Sequence, residues 1–172
     1  MPLKIVFTGP ESTGKSTAAA ALAAALNAPL VTEYAREYPA VAAGKYTAAD
    51  LPKIAAGQAA REAAARRSAA SYYICDTSFL VLKIWYEYKF GNCHPDIREL
   101  YLQNQPDLYF LCDIDVPWEY DPLRENPEER AELFDLYEKE LQKSGVPYHI
   151  LRGNPGERLI RARKIIKNLH GK

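Results

Sequence analysis

Residues 9–17 read Gly9-Pro10-Glu11-Ser12-Thr13-Gly14-Lys15-Ser16-Thr17, and no other stretch of the chain limits its possible folds so tightly. Two glycines five apart, followed at once by Lys and Ser, make a turn whose backbone can approach an anion with no Cβ in the way. The flanks agree with that reading. Lys4-Ile5-Val6-Phe7 is the short β-branched and aromatic run of a buried strand, and Ala18 to Leu26 is an unbroken run of helix formers. Strand, glycine turn and helix bring free N–H groups and the positive end of a helix dipole to one point. Such a point holds phosphate groups, with Lys15 reaching the outer phosphates of a nucleoside triphosphate and Ser16 ligating Mg²⁺.

The rest of the chain sets the frame around this loop. At 172 residues it is expected to form one domain, 1–172, large enough for a proper core. Lys and Arg number 22, as do Asp and Glu, so the net charge points to neither nucleic acid nor a membrane surface. No apolar stretch approaches the roughly 18 residues needed to span a bilayer. Met1-Pro-Leu-Lys4 runs straight into the first strand and leaves no room for a signal peptide. Cys75, Cys93 and Cys112 are odd in number and two fall in apparent strands, as reduced core residues of a cytoplasmic protein would. Cys93-His94 lacks a second Cys/His pair and reads as an ordinary loop, not a metal site.

Hydrophobic patterning predicts four further strands: 29–32, 72–75, 108–112 and 147–151. Thr47 with Asp50 resembles a capping box and opens a helix to about Ser71. Phe79 to Phe90 and Pro95 to Gln103 read as helices, the first stopped by Gly91. Its aromatic residues Trp85, Tyr86, Tyr88 and Phe90 read as core. Residues 116–126 carry Pro117, Trp118, Asp121, Pro122 and Arg124 without core periodicity, as a polar loop would. Pro127 opens a helix that Gly145 ends, and Asn154-Pro155 begins a last helix with a stripe of Leu159, Ala162, Ile166 and Leu169. Five strands alternating with helices specify an α/β fold, three layers around a parallel sheet. Ligands of such sheets sit beyond the carboxyl ends of the strands, which is where Glu33, Asp76 and the loop at 113–126 all fall.

Several classes of nucleotide protein are excluded. The guanine-reading Asn-Lys-x-Asp is absent, and Asp76 is followed by Thr77 where a ring-forming motor ATPase carries paired acids. A small-molecule kinase needs acids for Mg²⁺ and the acceptor hydroxyl, a lid that excludes water, and arginines that neutralise the transferring oxygens. Glu33, Asp76, a lid at about 114–130, Arg124 and Arg130 supply each part. The order Gly-Pro-Glu-Ser-Thr-Gly-Lys-Ser, Glu33-Tyr-Ala-Arg36-Glu-Tyr, Asp76-Thr77 and Trp118-x-x-Asp121-x-x-Arg124 resembles the ribosylnicotinamide kinase domain of NadR-type NAD-salvage proteins. That resemblance covers nearly the whole chain.

It implies a P-loop NTPase fold and ATP-dependent phosphorylation of nicotinamide riboside, with Mg²⁺ as cofactor. By motif position it assigns Gly9, Glu11, Ser12, Thr13, Gly14, Lys15, Ser16 and Thr17 to ATP, with Arg130. Glu33, Arg36, Asp76 and Trp118 fall to the substrate side, and Ser16 and Asp76 to the metal. The catalytic set would be Lys15, Glu33, Asp76 and Arg124, with either Glu33 or Asp76 deprotonating the riboside hydroxyl. Two departures stand out. The family pattern Asp-Thr-Asp ends here in Ser78, and the adenylyltransferase and DNA-binding modules of full-length NadR proteins have no counterpart, which confines the resemblance to the kinase step. A kinase for another nucleoside, nucleotide or small acceptor, and a regulatory ATP-binding module without turnover, remain the alternatives. Nothing in the residues fixes an oligomeric state.

Overall fold

The computed structural model describes residues 1–68, 70–119 and 128–169. In chain order its elements are β1 (Leu3–Thr8), α1 (Lys15–Leu26), β2 (Leu30–Val31), a 3₁₀ turn (Tyr34–Glu37), α2 (Pro39–Ala42), α3 (Leu51–Arg66), β3 (Tyr72–Asp76), α4 (Phe79–Phe90), α5 (Pro95–Gln103), β4 (Leu108–Cys112), α6 (Arg130–Ser144), β5 (Tyr148–Leu151) and α7 (Pro155–Leu169). The five strands among the described residues form one sheet in the order β2-β3-β1-β4-β5, with every pairing parallel.

Alternation along the strands sorts side chains to two faces. Ile5, Phe7, Ile74, Leu108, Phe110 and Cys112 pack under α1 and α7. Val6, Cys75, Tyr109 and Leu111 pack with residues of α3, α4, α5 and α6 on the other face. Strands covered on both sides must be apolar throughout, which is why β4 reads Leu-Tyr-Phe-Leu-Cys and is buried at every position. Fully burying side chains such as Ile5, Phe7, Phe110 and Leu22 contributes roughly 1.5–3 kcal/mol each.

Register places the chemistry. Phe7 pairs with Asp76, with no strand between β1 and β3, so the turn after β3 ends beside the loop after β1. The Thr77 N–H donates to the Phe7 carbonyl (3.1 Å) and ties the two turns together. Some boundaries differ from the sequence reading. Asp50 does accept from the Thr47 N–H (2.8 Å), yet regular helix begins at Leu51 and ends at Arg66, short of Ser71. The loop residues Tyr34–Glu37 and Pro39–Ala42 form short helical turns with no periodic signature. Asp121, Pro122, Arg124 and Pro127 lie outside the described residues, as does the whole stretch 120–127 of the expected lid.

Candidate functional site

Backbone geometry makes the first half of the site. Gly9 has φ 130, and a Cβ there would lie 2.9 Å from the Cys112 carbonyl, so the turn leaving β1 requires glycine. Ser12 (φ 54) and Gly14 (φ 75) are also left-handed, curling the chain into a concave row of amides ahead of α1. Thr13 Oγ1 bonds the Pro10 carbonyl (2.9 Å) across the loop, and Lys15 Nζ donates to that same carbonyl. A cavity of about 440 Å³ opens above this loop and includes every residue from Gly9 to Ala18 in its wall.

Side chains from several elements make the second half. Glu33, just before the 3₁₀ turn, and Arg36, within it, line the same cavity, joined by Arg36 Nε donating to Glu33 Oε2 (3.1 Å). The turn is docked on α3. Tyr34 N–H donates to Gln58 Oε1 (2.9 Å), and Arg61 stacks over the Tyr34 ring at 4.9 Å while bonding Thr32 Oγ1 (2.9 Å). Gly57 permits this contact, since a Cβ on it would come within 2.3 Å of the Tyr34 ring. The cavity lining also includes Tyr46, Trp85 and Tyr88, with Leu133 and Tyr137 of α6. Trp85 Nε1 donates to the Tyr46 hydroxyl (3.0 Å) and the two rings meet edge to face at 4.9 Å. Of the aromatic residues of α4 read from the sequence as core, Trp85 and Tyr86 do pack against it, and Trp85 and Tyr88 also line the cavity.

The electrostatics single out one pair. Burial pushes the Glu33 carboxyl above its ordinary value, against the opposing pull of Lys15 and Arg36. Burial also lowers Lys15, against the attraction of Glu33, Cys112, Asp76 and Glu11. An acid shifted up beside a lysine shifted down, in one cleft, is the charge pattern of reactive sites. Tyr137 is pushed well above the usual phenol range by burial and by Glu33 and Glu11, so it stays protonated.

Asp76 is buried at the end of β3, and its Oδ1 has no hydrogen-bond partner among the described residues. Thr77 holds a left-handed φ of 69 and lines the cavity. Ser78 turns the other way. Its Oγ donates to Glu62 Oε1 (2.7 Å) and accepts from Lys4 Nζ (3.1 Å), inside a buried Lys4–Glu62 ion pair of 2.5 Å. An acid at position 78 would stand against Glu62 and compete for Lys4, which accounts for serine in this chain. Losing one partner of such a buried pair costs about 3–5 kcal/mol. Trp118 is not among the described residues that line the cavity, and the Arg130 guanidinium lies 6.0 Å from its ring. Arg130 is itself bonded to the carbonyls of Ser12 (3.1 Å) and Val116 (3.0 Å). Arg124 lies outside the described residues.

A family model described as an AAA domain matches residues 4–158. The chain belongs to that family. The trifunctional NAD biosynthesis/regulator protein NadR of Salmonella typhimurium is 27% identical over 174 residues, covering 97% of this chain and 42% of that protein. The chain thus spans under half the length of the curated relatives it matches. Among solved structures, a NadR protein in complex with NR superposes with a TM-score of 0.80 at 22% identity, over 99% of this chain and 50% of that one. Thymidylate kinase from Ehrlichia chaffeensis follows the same fold, with a TM-score of 0.72 at 16% identity over 96% of this chain and 98% of the other. The fold is the three-layer P-loop NTPase fold expected from the sequence, and these proteins share it. No helix among the described residues is long and apolar enough to cross a membrane.

Proposed function

We propose that this chain is an ATP-dependent kinase that phosphorylates nicotinamide riboside to the mononucleotide. The observation that carries the proposal is the single cavity joining a phosphate loop to Glu33, an acid whose pKa is raised by burial. The likeness to NadR over nearly the whole chain supports the choice of acceptor.

The chemistry follows from placement. The loop amides and Lys15 hold the β and γ phosphates, so the transferring group needs little reorganisation. Glu33 accepts the proton of the riboside hydroxyl, and its raised pKa makes it a better base than an ordinary carboxylate. Its ion pair with Arg36 is partly exposed, worth about 0–1 kcal/mol, and yields easily to an incoming hydroxyl. Trp85, Tyr46 and Tyr88 line the cavity, and an aromatic wall favours the fixed charge of the pyridinium. Ser16 and the unpartnered Oδ1 of Asp76 are hard oxygen donors, which fit Mg²⁺. Held by these residues, Mg²⁺ would supply neutralisation of the charge on the transferring phosphoryl group. The three buried free thiols support a reducing, cytoplasmic setting.

The test is a phosphorylation screen with purified protein, ATP-Mg²⁺, and a panel of ribosides, mononucleotides and buffer alone. Nicotinamide riboside is expected to have the highest kcat/KM. A higher value for uridine or a nucleoside monophosphate would change the acceptor but keep the kinase. ATP binding without turnover on any acceptor would leave a regulatory module.

A further inference from the structure

Two arginines from distant parts of the chain grip successive carbonyls of the phosphate loop. Arg130, at the start of α6, donates through Nη2 to the Ser12 carbonyl (3.1 Å). Arg158, on α7 and only 2% exposed, donates through Nη1 to the Thr13 carbonyl. The Arg158 side chain is itself fixed on every side. Its Nη2 donates to Asp115 Oδ1 (2.5 Å) and the Asp113 carbonyl (3.3 Å), and its Nε to the Gly153 carbonyl (3.0 Å).

A trans peptide unit points its C=O and its N–H in opposite directions. Holding the Ser12 carbonyl therefore fixes the direction of the Thr13 N–H on the opposite side of that peptide, and holding the Thr13 carbonyl does the same for the Gly14 N–H. The left-handed Ser12 and Gly14 let both amides converge on one point. A charged donor on each carbonyl also polarises its peptide and strengthens the amide on the other side. Resting on the nucleotide reading above, we propose that Arg158, with Arg130, is a positioning residue for phosphate binding. It acts through the loop backbone, setting the amides before the triphosphate arrives. Arg130 is thereby given a role other than the direct ATP contact expected from the sequence.

A merely structural arginine would lower stability without favouring one substrate over the other. The brace predicts a split. Arg158→Met should raise KM for ATP, and Kd for a non-hydrolysable ATP analogue by calorimetry, at least tenfold, while KM for the acceptor stays within about twofold. Arg158→Lys, which keeps the charge but not the forked geometry, should recover part of the loss. Asp115→Asn loosens the guanidinium from outside and should weaken ATP by about threefold to tenfold. That variant decides the matter if Arg158→Met does not fold. Folded variants with unchanged ATP affinity, or with both substrates weakened by one factor, would overturn the brace. Wild-type protein that binds no ATP would instead overturn the nucleotide reading, and the brace with it.

Discussion

The two ends of the cavity are built in opposite ways. The nucleotide end is main chain: consecutive residues 9–17, three of them with positive φ, present amides to an anion. The acceptor end is side chain: Glu33 and Arg36 on a 3₁₀ turn, Tyr46 after α2, Trp85 and Tyr88 on α4, and Tyr137 on α6. A backbone site tolerates changes in most side chains but demands glycine where a Cβ would collide, as at Gly9. A side-chain site can be respecified one residue at a time. In the proposed kinase, the first end holds the triphosphate, whereas the second selects what receives the phosphoryl group.

That division can be attacked by mutation. The largest effect belongs to Lys15→Ala, expected to lower kcat by at least ~10³-fold, the scale of losing a charge-stabilising clamp on a transferring phosphoryl group. Steady-state kinetics at saturating ATP would measure it. A loss confined to the acceptor KM would place Lys15 at the wrong end.

Glu33→Gln and Asp76→Asn should each cost about 10²-fold or more in kcat with the fold retained. Glu33 allows a sharper test. In wild type, kcat/KM should rise with pH through a value above the ordinary carboxyl value of 4.5, and Glu33→Gln should abolish that limb. Stability should move the other way. A raised pKa means the folded state holds the proton more tightly, a contribution fully present below 4.5 and lost as pH rises through the folded value. Glu33→Gln should therefore raise Tm at neutral pH, by roughly 2–4 °C per kcal/mol relieved, with the gain fading in acid. An unchanged activity or a lowered Tm at pH 7 would return Glu33 to a simple partner of Arg36.

The smallest effects separate two tryptophans. Trp85→Leu should reduce kcat/KM for nicotinamide riboside by roughly tenfold, about 1.4 kcal/mol, with less loss for a neutral riboside and ATP affinity held. Trp118→Leu should cost less than Trp85→Leu, because Trp118 is not among the described residues that line the cavity and its ring lies near Arg130. The reverse ranking would make Trp118, as expected from the sequence, the charge-reading platform.

Sequence reading reached the two ends unequally, for the same physical reason. The phosphate loop is local, and β4 and α5 lie at the expected residues because apolar runs, proline and caps act over a few positions. The Tyr34–Glu37 turn and α2 are too short to carry a period. Gly57 looks like a weak point in a helix former, yet its missing Cβ seats Tyr34 and so aims Glu33. The stripe expected on α7 places Ala162 and Ile166 correctly but passes over Arg158. Its burial depends on a carbonyl 145 residues away. Trp85 reads as core and does pack against it, but a ring that also lines a cavity has the same helical spacing, so its second face is not legible.

The most direct measurement is the acceptor screen, run with wild-type protein and Lys15→Ala side by side. The account predicts that ATP-Mg²⁺ and nicotinamide riboside yield ADP and the mononucleotide at a rate above every other acceptor and above buffer, and that Lys15→Ala abolishes it. Turnover of ATP that no riboside accelerates would contradict it.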